Sequence, residues 1–218
     1  LPISIGSESA GTFIYEGGSL AWLNPYMYIG QGAGGDGTFM VRTNLTISHS
    51  GPILRIASGN NAKGRIVIEN DAVLAMDFFY FINENSSASV TQTVSNGEIN
   101  FGDANVDLQI GASAAGGSGN LIVNGTGRFK ARSGGRSVWI GSGATGGGTV
   151  TVADNGLIEF LHGSHVLGYG NTNAVGTINL DGGKLRVRSN TLSKGAGSGY
   201  INFNGGIMEV EYADSATF

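Results

Sequence analysis

A glycine-punctuated repeat of about twenty-seven residues constrains this chain more than any other feature. Three copies are plain. Gly148-Thr-Val-Thr-Val152 is followed by Asn155-Gly156, Leu157-Ile158-Glu159-Phe160 and Val166-Leu167-Gly168. Gly176-Thr-Ile-Asn-Leu180 is followed by Gly182-Gly183, Leu185-Arg-Val187 and Thr191-Leu192. Gly199-Tyr-Ile-Asn-Phe203 is followed by Gly205-Gly206 and Met208-Glu-Val210. Each unit is a glycine, a short alternating strand, a glycine turn, a second alternating strand, and a third strand ending in Ile-Gly.

Five more worn copies precede these, and two independent ladders fix their phase. Opening strands start at positions 11, 37, 64, 90, 119, 148, 176 and 199, with gaps of 26, 27, 26, 29, 29, 28 and 23. The second ladder reads Ile5-Gly6, Ile29-Gly30, Ile56-Ala57, Ile82-Asn83, Ile110-Gly111, Ile140-Gly141, Leu167-Gly168 and Leu192-Ser193. The strands alternate with period two and favour Val, Ile, Thr, Phe and Tyr, and no window keeps a helical stripe free of glycine. Recurrence of one three-strand unit predicts an all-β parallel β-helix (a β-solenoid) of about eight three-strand coils, rather than an immunoglobulin-like sandwich.

Stacking supplies the physics. One coil cannot bury its inward side chains, but coils about 4.8 Å apart join into parallel sheets around a shared core. Val150, Val152, Ile158 and Phe160 are the inward set of one coil, Ile178, Leu180, Leu185 and Val187 of the next, and Ile201, Phe203, Met208 and Val210 of the last. The whole chain, 1–218, reads as one solenoid domain, with degenerate coils over 1–118 and regular ones over 119–218. The Phe78-Phe79-Tyr80-Phe81 run and Gln92, at an inward position, depart from the pattern.

Composition narrows the function classes. Glycine supplies 39 of 218 residues, about 18% against roughly 7% in ordinary proteins, yet without a G-X-Y period. There are 0 cysteines, which removes disulfide scaffolds and thiol chemistry. Twelve basic against sixteen acidic residues give a net charge of -4 and no footprint for nucleic acid. The longest apolar stretch, Ala72 to Ile82, is too short to span a bilayer. The chain opens at Leu1 rather than Met and shows no basic leader, which fits a processed piece of an exported protein.

The unit G-T-V-T-V…G-G-x-L…x-L-x-I-G-x-G resembles the autotransporter and PEP-CTERM-associated repeats of bacterial secreted passengers. The resemblance is good from Gly119 to Val210 and thinner from Leu1 to Ser118. It implies a right-handed parallel β-helix, export to the extracellular space or bacterial cell surface, and a role in surface structure, adhesion or biofilm. It implies no catalytic residues.

The two ends of the array are complementary. Leu1-Pro-Ile-Ser-Ile-Gly6 aligns with the third strand Pro25-Tyr-Met-Tyr-Ile-Gly30, while the last copy has its first two strands and then runs out over 213–218. Open solenoid ends expose unpaired backbone and core side chains. The expectation is therefore a subunit that stacks head to tail into a filament, since a heterologous contact that does not close propagates. Its contact residues would be Leu1, Ile3, Ile5, Ile201, Phe203, Met208, Val210, Tyr212 and Phe218. A piece cut from a longer array within a repeat is the plainer account of the same ends.

The alternative is a glycan-binding or polysaccharide-processing β-helix. Aromatics crowd the first half, and Trp22, Tyr26, Tyr28 and Tyr80 are the candidate sugar or partner contacts. A lyase or hydrolase would need converging carboxylates, but Glu98, Asp103, Asp107, Asp154, Glu159 and Asp181 share no recurring groove spacing. The three histidines are His49, His162 and His165, and a strand would place the last two on opposite faces. No metal site, cofactor or catalytic residue is expected. Gly34-Gly-Asp-Gly37 occurs once, whereas a calcium-binding roll needs consecutive copies. The sequons at Asn44, Asn85 and Asn124 read as incidental.

Overall fold

The computed structural model describes residues 3–18, 26–47, 53–76, 79–82, 89–101, 107–111, 117–131, 137–143 and 147–212. Among them the chain is an all-β parallel β-solenoid with no helix. Three sheets run the length of the stack. Sheet A joins β1 (Ile3–Ile5), β3 (Tyr26–Ile29), β6 (Ile53–Ile56), β9 (Phe79–Ile82), β12 (Leu108–Ile110), β15 (Val138–Ile140), β18 (His165–Leu167) and β21 (Leu192–Lys194). Sheet B joins β2 (Ala10–Tyr15), β4 (Asp36–Val41), β7 (Lys63–Ile68), β10 (Ser89–Val94), β13 (Ser118–Val123), β16 (Gly147–Ala153), β19 (Val175–Asp181) and β22 (Ser198–Phe203). Sheet C joins β5 (Leu45–Ile47), β8 (Val73–Met76), β11 (Glu98–Phe101), β14 (Arg128–Ala131), β17 (Leu157–Phe160), β20 (Lys184–Arg188) and β23 (Ile207–Glu211). Every strand pairs with the strand one turn away, so strands consecutive in sequence lie in different sheets.

The opening ladder is reproduced residue for residue in sheet B. Gly11 pairs with Gly37, Gly37 with Gly64, Gly64 with Val90, and the column continues through Gly119, Gly148 and Gly176 to Gly199. Register holds through the two departures from the pattern. Ile82 pairs with Ile56 and Ile110 across the aromatic run, and Gln92 pairs with Leu121.

The second ladder holds from Ile5 to Leu167 and then needs one correction. Leu167 pairs with Lys194, not with Leu192, which lies opposite His165. The corner decides this: Gly195 N–H donates to Leu167 O at 2.8 Å, so Lys194-Gly195 takes the place of Ile-Gly in the last turn.

The core is a set of side-chain columns parallel to the stack. Ile178, Leu180, Leu185 and Val187 are buried, as are Val150, Val152, Ile158 and Phe160. Neighbouring columns compensate in volume. Ala131 sits between Phe101 and Phe160 in one column of sheet C, and Phe129 fills the adjacent column of that turn, meeting Phe160 edge-on at 6.4 Å. Interiors packed at crystal density require such compensation.

Glycine is required at the corner between β15 in sheet A and β16 in sheet B. Gly141 has φ +70°, and a Cβ there would collide with Val175 O. A Cβ on Gly148, across the same corner, would collide with Gly141 N and Ile110 O. The corner is a close approach of three backbone segments, and only a residue without a side chain fits it.

Gln92 is the one inward position where a polar side chain replaces an aliphatic in sheet B. It is fully buried, and neither amide atom has a partner among the described residues. An unsatisfied buried polar group costs about 1–3 kcal/mol. Gln92→Leu, which installs the side chain of its column neighbour Leu121, is expected to raise unfolding free energy by about that much in urea denaturation. A lower midpoint would show that the amide is satisfied after all.

Candidate functional site

The most distinctive surface is the edge formed by β21, β22 and β23. One turn back, the inward positions of sheets B and C are at most 3% exposed. At the edge the same columns carry Ile201 and Met208, half-buried, and Phe203 and Val210, 58% and 53% exposed. Tyr212, just beyond β23, is 88% exposed. A cavity of about 390 Å³ opens there, lined by Leu192, Lys194, Gly199, Ile201, Met208 and Val210 among others. The sequence named Ile201, Phe203, Met208, Val210 and Tyr212 as contact candidates at this end; Leu192 and Lys194, which line the cavity, were not among them.

The opposite edge is formed by β1 in sheet A and β2 in sheet B. Ile3 and Phe13 are partly buried against the core, while Ile5 and Tyr15 are already buried within their own turn. The Tyr15 hydroxyl donates to Gly18 O at 2.8 Å. Register bears out the alignment of the first strand: Ile3, Ser4 and Ile5 pair with Met27, Tyr28 and Ile29. Leu1 and Phe218 lie outside the described residues.

The aromatic candidates separate. Tyr26 and Tyr28 are half-exposed on the outer face of sheet A, with ring centroids 6.0 Å apart and the Arg55 guanidinium over both at 5.2 and 5.9 Å. Tyr80 occupies the register position of the buried Leu54 and Leu108. Trp22 lies outside the described residues. The sequence reading missed a second pair farther along the same face, Trp139 and Tyr169, stacked at 4.1 Å and 9°. Trp139 is the outward neighbour of Ile140 and Tyr169 follows the corner Gly168, so the repeat phase itself was the available signal.

The acidic candidates are consumed by local pairing. Glu98 and Glu159 share the outer face of sheet C, which carries an alternating ladder. Lys130 reaches Glu98 at 2.8 Å and Glu159 at 3.9 Å, and Arg186 reaches Glu159 at 2.9 Å and Glu209 at 3.1 Å. Hydrogen bonds from Lys184 and Arg186 hold the Glu209 carboxyl below its ordinary range. Such an acid is suited to staying ionised, not to delivering a proton. Asp107 accepts from the Ser137 N–H at 3.1 Å, Asp154 from the Gly125 N–H at 3.3 Å, and Asp181 from the Asn204 amide at 2.8 Å. Asp36 accepts from Arg65 at 2.6 Å rather than opening a cation loop. Among the described residues no three His, Asp or Glu side chains gather as metal ligands, and no helix is long and apolar enough to cross a membrane. Asp103 and His49 lie outside the described residues.

His162 and His165 are not divided across a strand, as alternation alone would have them. His162 lies in the bend before β18, half-exposed, and only His165 belongs to the strand. His165 is fully buried in the inward column, stacked on Phe160 at 4.4 Å. Its Nδ1 accepts the Val138 N–H at 3.2 Å, so the neutral ring carries its proton on Nε2, which has no partner among the described residues. Burial lowers its pKa from 6.5 to about 4, against a smaller opposing contribution from the hydrogen bond to the His162 backbone.

Between about pH 6.5 and 4 the unfolded chain takes up a proton at His165 that the folded chain refuses. Stability should therefore be flat above pH 6.5 and fall by about 3 kcal/mol towards pH 4 from this group alone. Urea midpoints of the native protein and His165→Leu, compared at pH 7.5, 5.5 and 4.5, isolate the effect because the carboxylates are common to both. Parallel pH profiles for the two proteins would refute it.

Comparison with protein-family models, with curated proteins and with solved structures gives no match to this chain.

Proposed function

We propose that this chain is a non-enzymatic structural or adhesive module, a right-handed solenoid of about eight coils that stacks head to tail into an extracellular filament on a bacterial surface. The observation that carries the reading is the exposed apolar edge at β22 and β23, where Phe203 and Val210 stand in columns that are otherwise dry. The other edge offers a matching set. Continuing each column by one more turn sets Phe13 of a second copy over Ile201 and Tyr15 over Phe203. β1 would extend sheet A next to β21 in the same way, with its Ile3 over Leu192. The bacterial surface location rests on the resemblance of the Gly-Thr-Val-Thr-Val unit to secreted passenger repeats.

Negative-stain electron microscopy and sedimentation velocity test the assembly directly. Filaments with an axial repeat of roughly 35 to 40 Å, eight rungs at the strand spacing, are the expected result. Phe203→Asp with Val210→Asp should leave a folded protein that no longer elongates, since both side chains are exposed in the single chain. Monodisperse short rods at every concentration of the native protein would overturn the reading.

A second reading is favoured by the aromatic face of sheet A. Tyr26, Tyr28 and Trp139 are on the outer face of sheet A, with Tyr169 stacked on Trp139 from the adjoining corner, and aromatic rings stack on the apolar faces of sugars. Affinity electrophoresis against soluble β-glucan, galactan and chitin oligomers would show retardation, reduced on the order of threefold to tenfold by Trp139→Ala with Tyr169→Ala. Equal mobility with and without polysaccharide would dismiss glycan binding by this face.

A further inference from the structure

Lys194 is an anomaly among the inward positions. Its column runs Ile5, Ile29, Ile56, Ile82, Ile110, Ile140, Leu167 and then Lys194. The side chain is exposed, and Nζ bends to the corner, donating to Gly195 O at 3.2 Å. A strand added to β21 would bury the base of this side chain and strip water from its ammonium. Charged residues at inward positions of edge strands are a known defence against indiscriminate strand addition.

The other end of the stack carries the opposite charge at the same corner. Glu8 is the only charged residue between Ile3 and Tyr15, and Lys194 is the only one between Thr191 and Phe203. Glu8 is held on the corner by its N–H, which donates to Gln31 O at 3.0 Å, with φ at +63°. The columns place Gly6 in line with Gly195 and Gly11 in line with Gly199. A second copy added in register therefore sets Glu8 over Ala196 and Gly197, beside the Lys194 ammonium. In the receiving copy the corners at 141–147, 168–175 and 195–198 contain no charged residue, and in the arriving copy Asp36, at the next corner, is already paired with Arg65 at 2.6 Å.

We infer that Glu8 of one copy and Lys194 of the next form the ion pair that selects and registers the head-to-tail contact. Lys194 rejects a strand that brings no carboxylate to the corner, and Glu8 supplies it. The inference rests on the stacking proposed above and adds its selectivity. An ion pair at a largely desolvated seam acts through this difference between right and wrong partners more than through raw affinity.

A charge-swap cycle separates the pair from the stacking. Association of the native chain, Glu8→Lys, Lys194→Glu and the double variant is measured by sedimentation velocity at 50 and 500 mM NaCl, with circular dichroism to verify folding. Each single reversal should weaken association at least about tenfold at low salt, and the double reversal should restore it to within a few-fold. Lys194→Leu should associate equally well with or without Glu8→Lys. Four proteins that assemble alike would overturn the ion pair and leave the stacking intact. Single variants that weaken with no rescue in the double would also overturn the pair. A native chain that does not assemble under any condition overturns both.

Discussion

Each turn of this chain satisfies its backbone on the turns before and after it, and everything else in the fold depends on that exchange. Parallel pairing between turns fixes the axial spacing, so every inward residue sits directly above its counterpart one repeat earlier. The glycine corner is what permits the exchange. Where Gly141 and Gly148 meet Val175 and Ile110, three backbone segments are closer than any side chain would allow. A protein whose secondary structure is inter-turn by necessity cannot build one turn well in isolation, and stability must come from the stack.

The same exchange explains why so much of the fold was legible in sequence. Residues at equal phase occupy one column, so glycine recurs where the corner needs it and isoleucine recurs where the core needs it. The sequence reading failed where the column stopped imposing that demand. In β21 the phase of Leu167 falls on Lys194, while the nearest aliphatic, Leu192, lies opposite His165. Gly195, directly after Lys194, was the better guide, because backbone closeness is enforced by the turn below whatever lies above.

Chemistry that joins distant turns was harder to read than geometry that repeats. Lys130, Glu159, Arg186 and Glu209 are separated by 29, 27 and 23 residues, yet they form one alternating line of charge along sheet C, which Glu98 joins diagonally from the neighbouring column. Written in phase with the repeat, the signs alternate; written as a sequence, they are scattered. His165 was obscured for a different reason. Its residue type signals a ligand or a catalyst, while its phase, two before Leu167 and level with Leu108 and Val138, signals core. The solenoid resolves that conflict in favour of phase and leaves an imidazole that must stay neutral.

The hydrogen bonds between turns lie along the rod, and this has a mechanical consequence. Tension applied between the two ends loads these bonds head-on and not in shear, so the terminal turn peels while the remainder stays wound. Each step frees about 27 residues, on the order of 90 Å of extended chain. A thread of such units under flow would lengthen by paying out successive loops, absorbing work in many small yields before any junction parted.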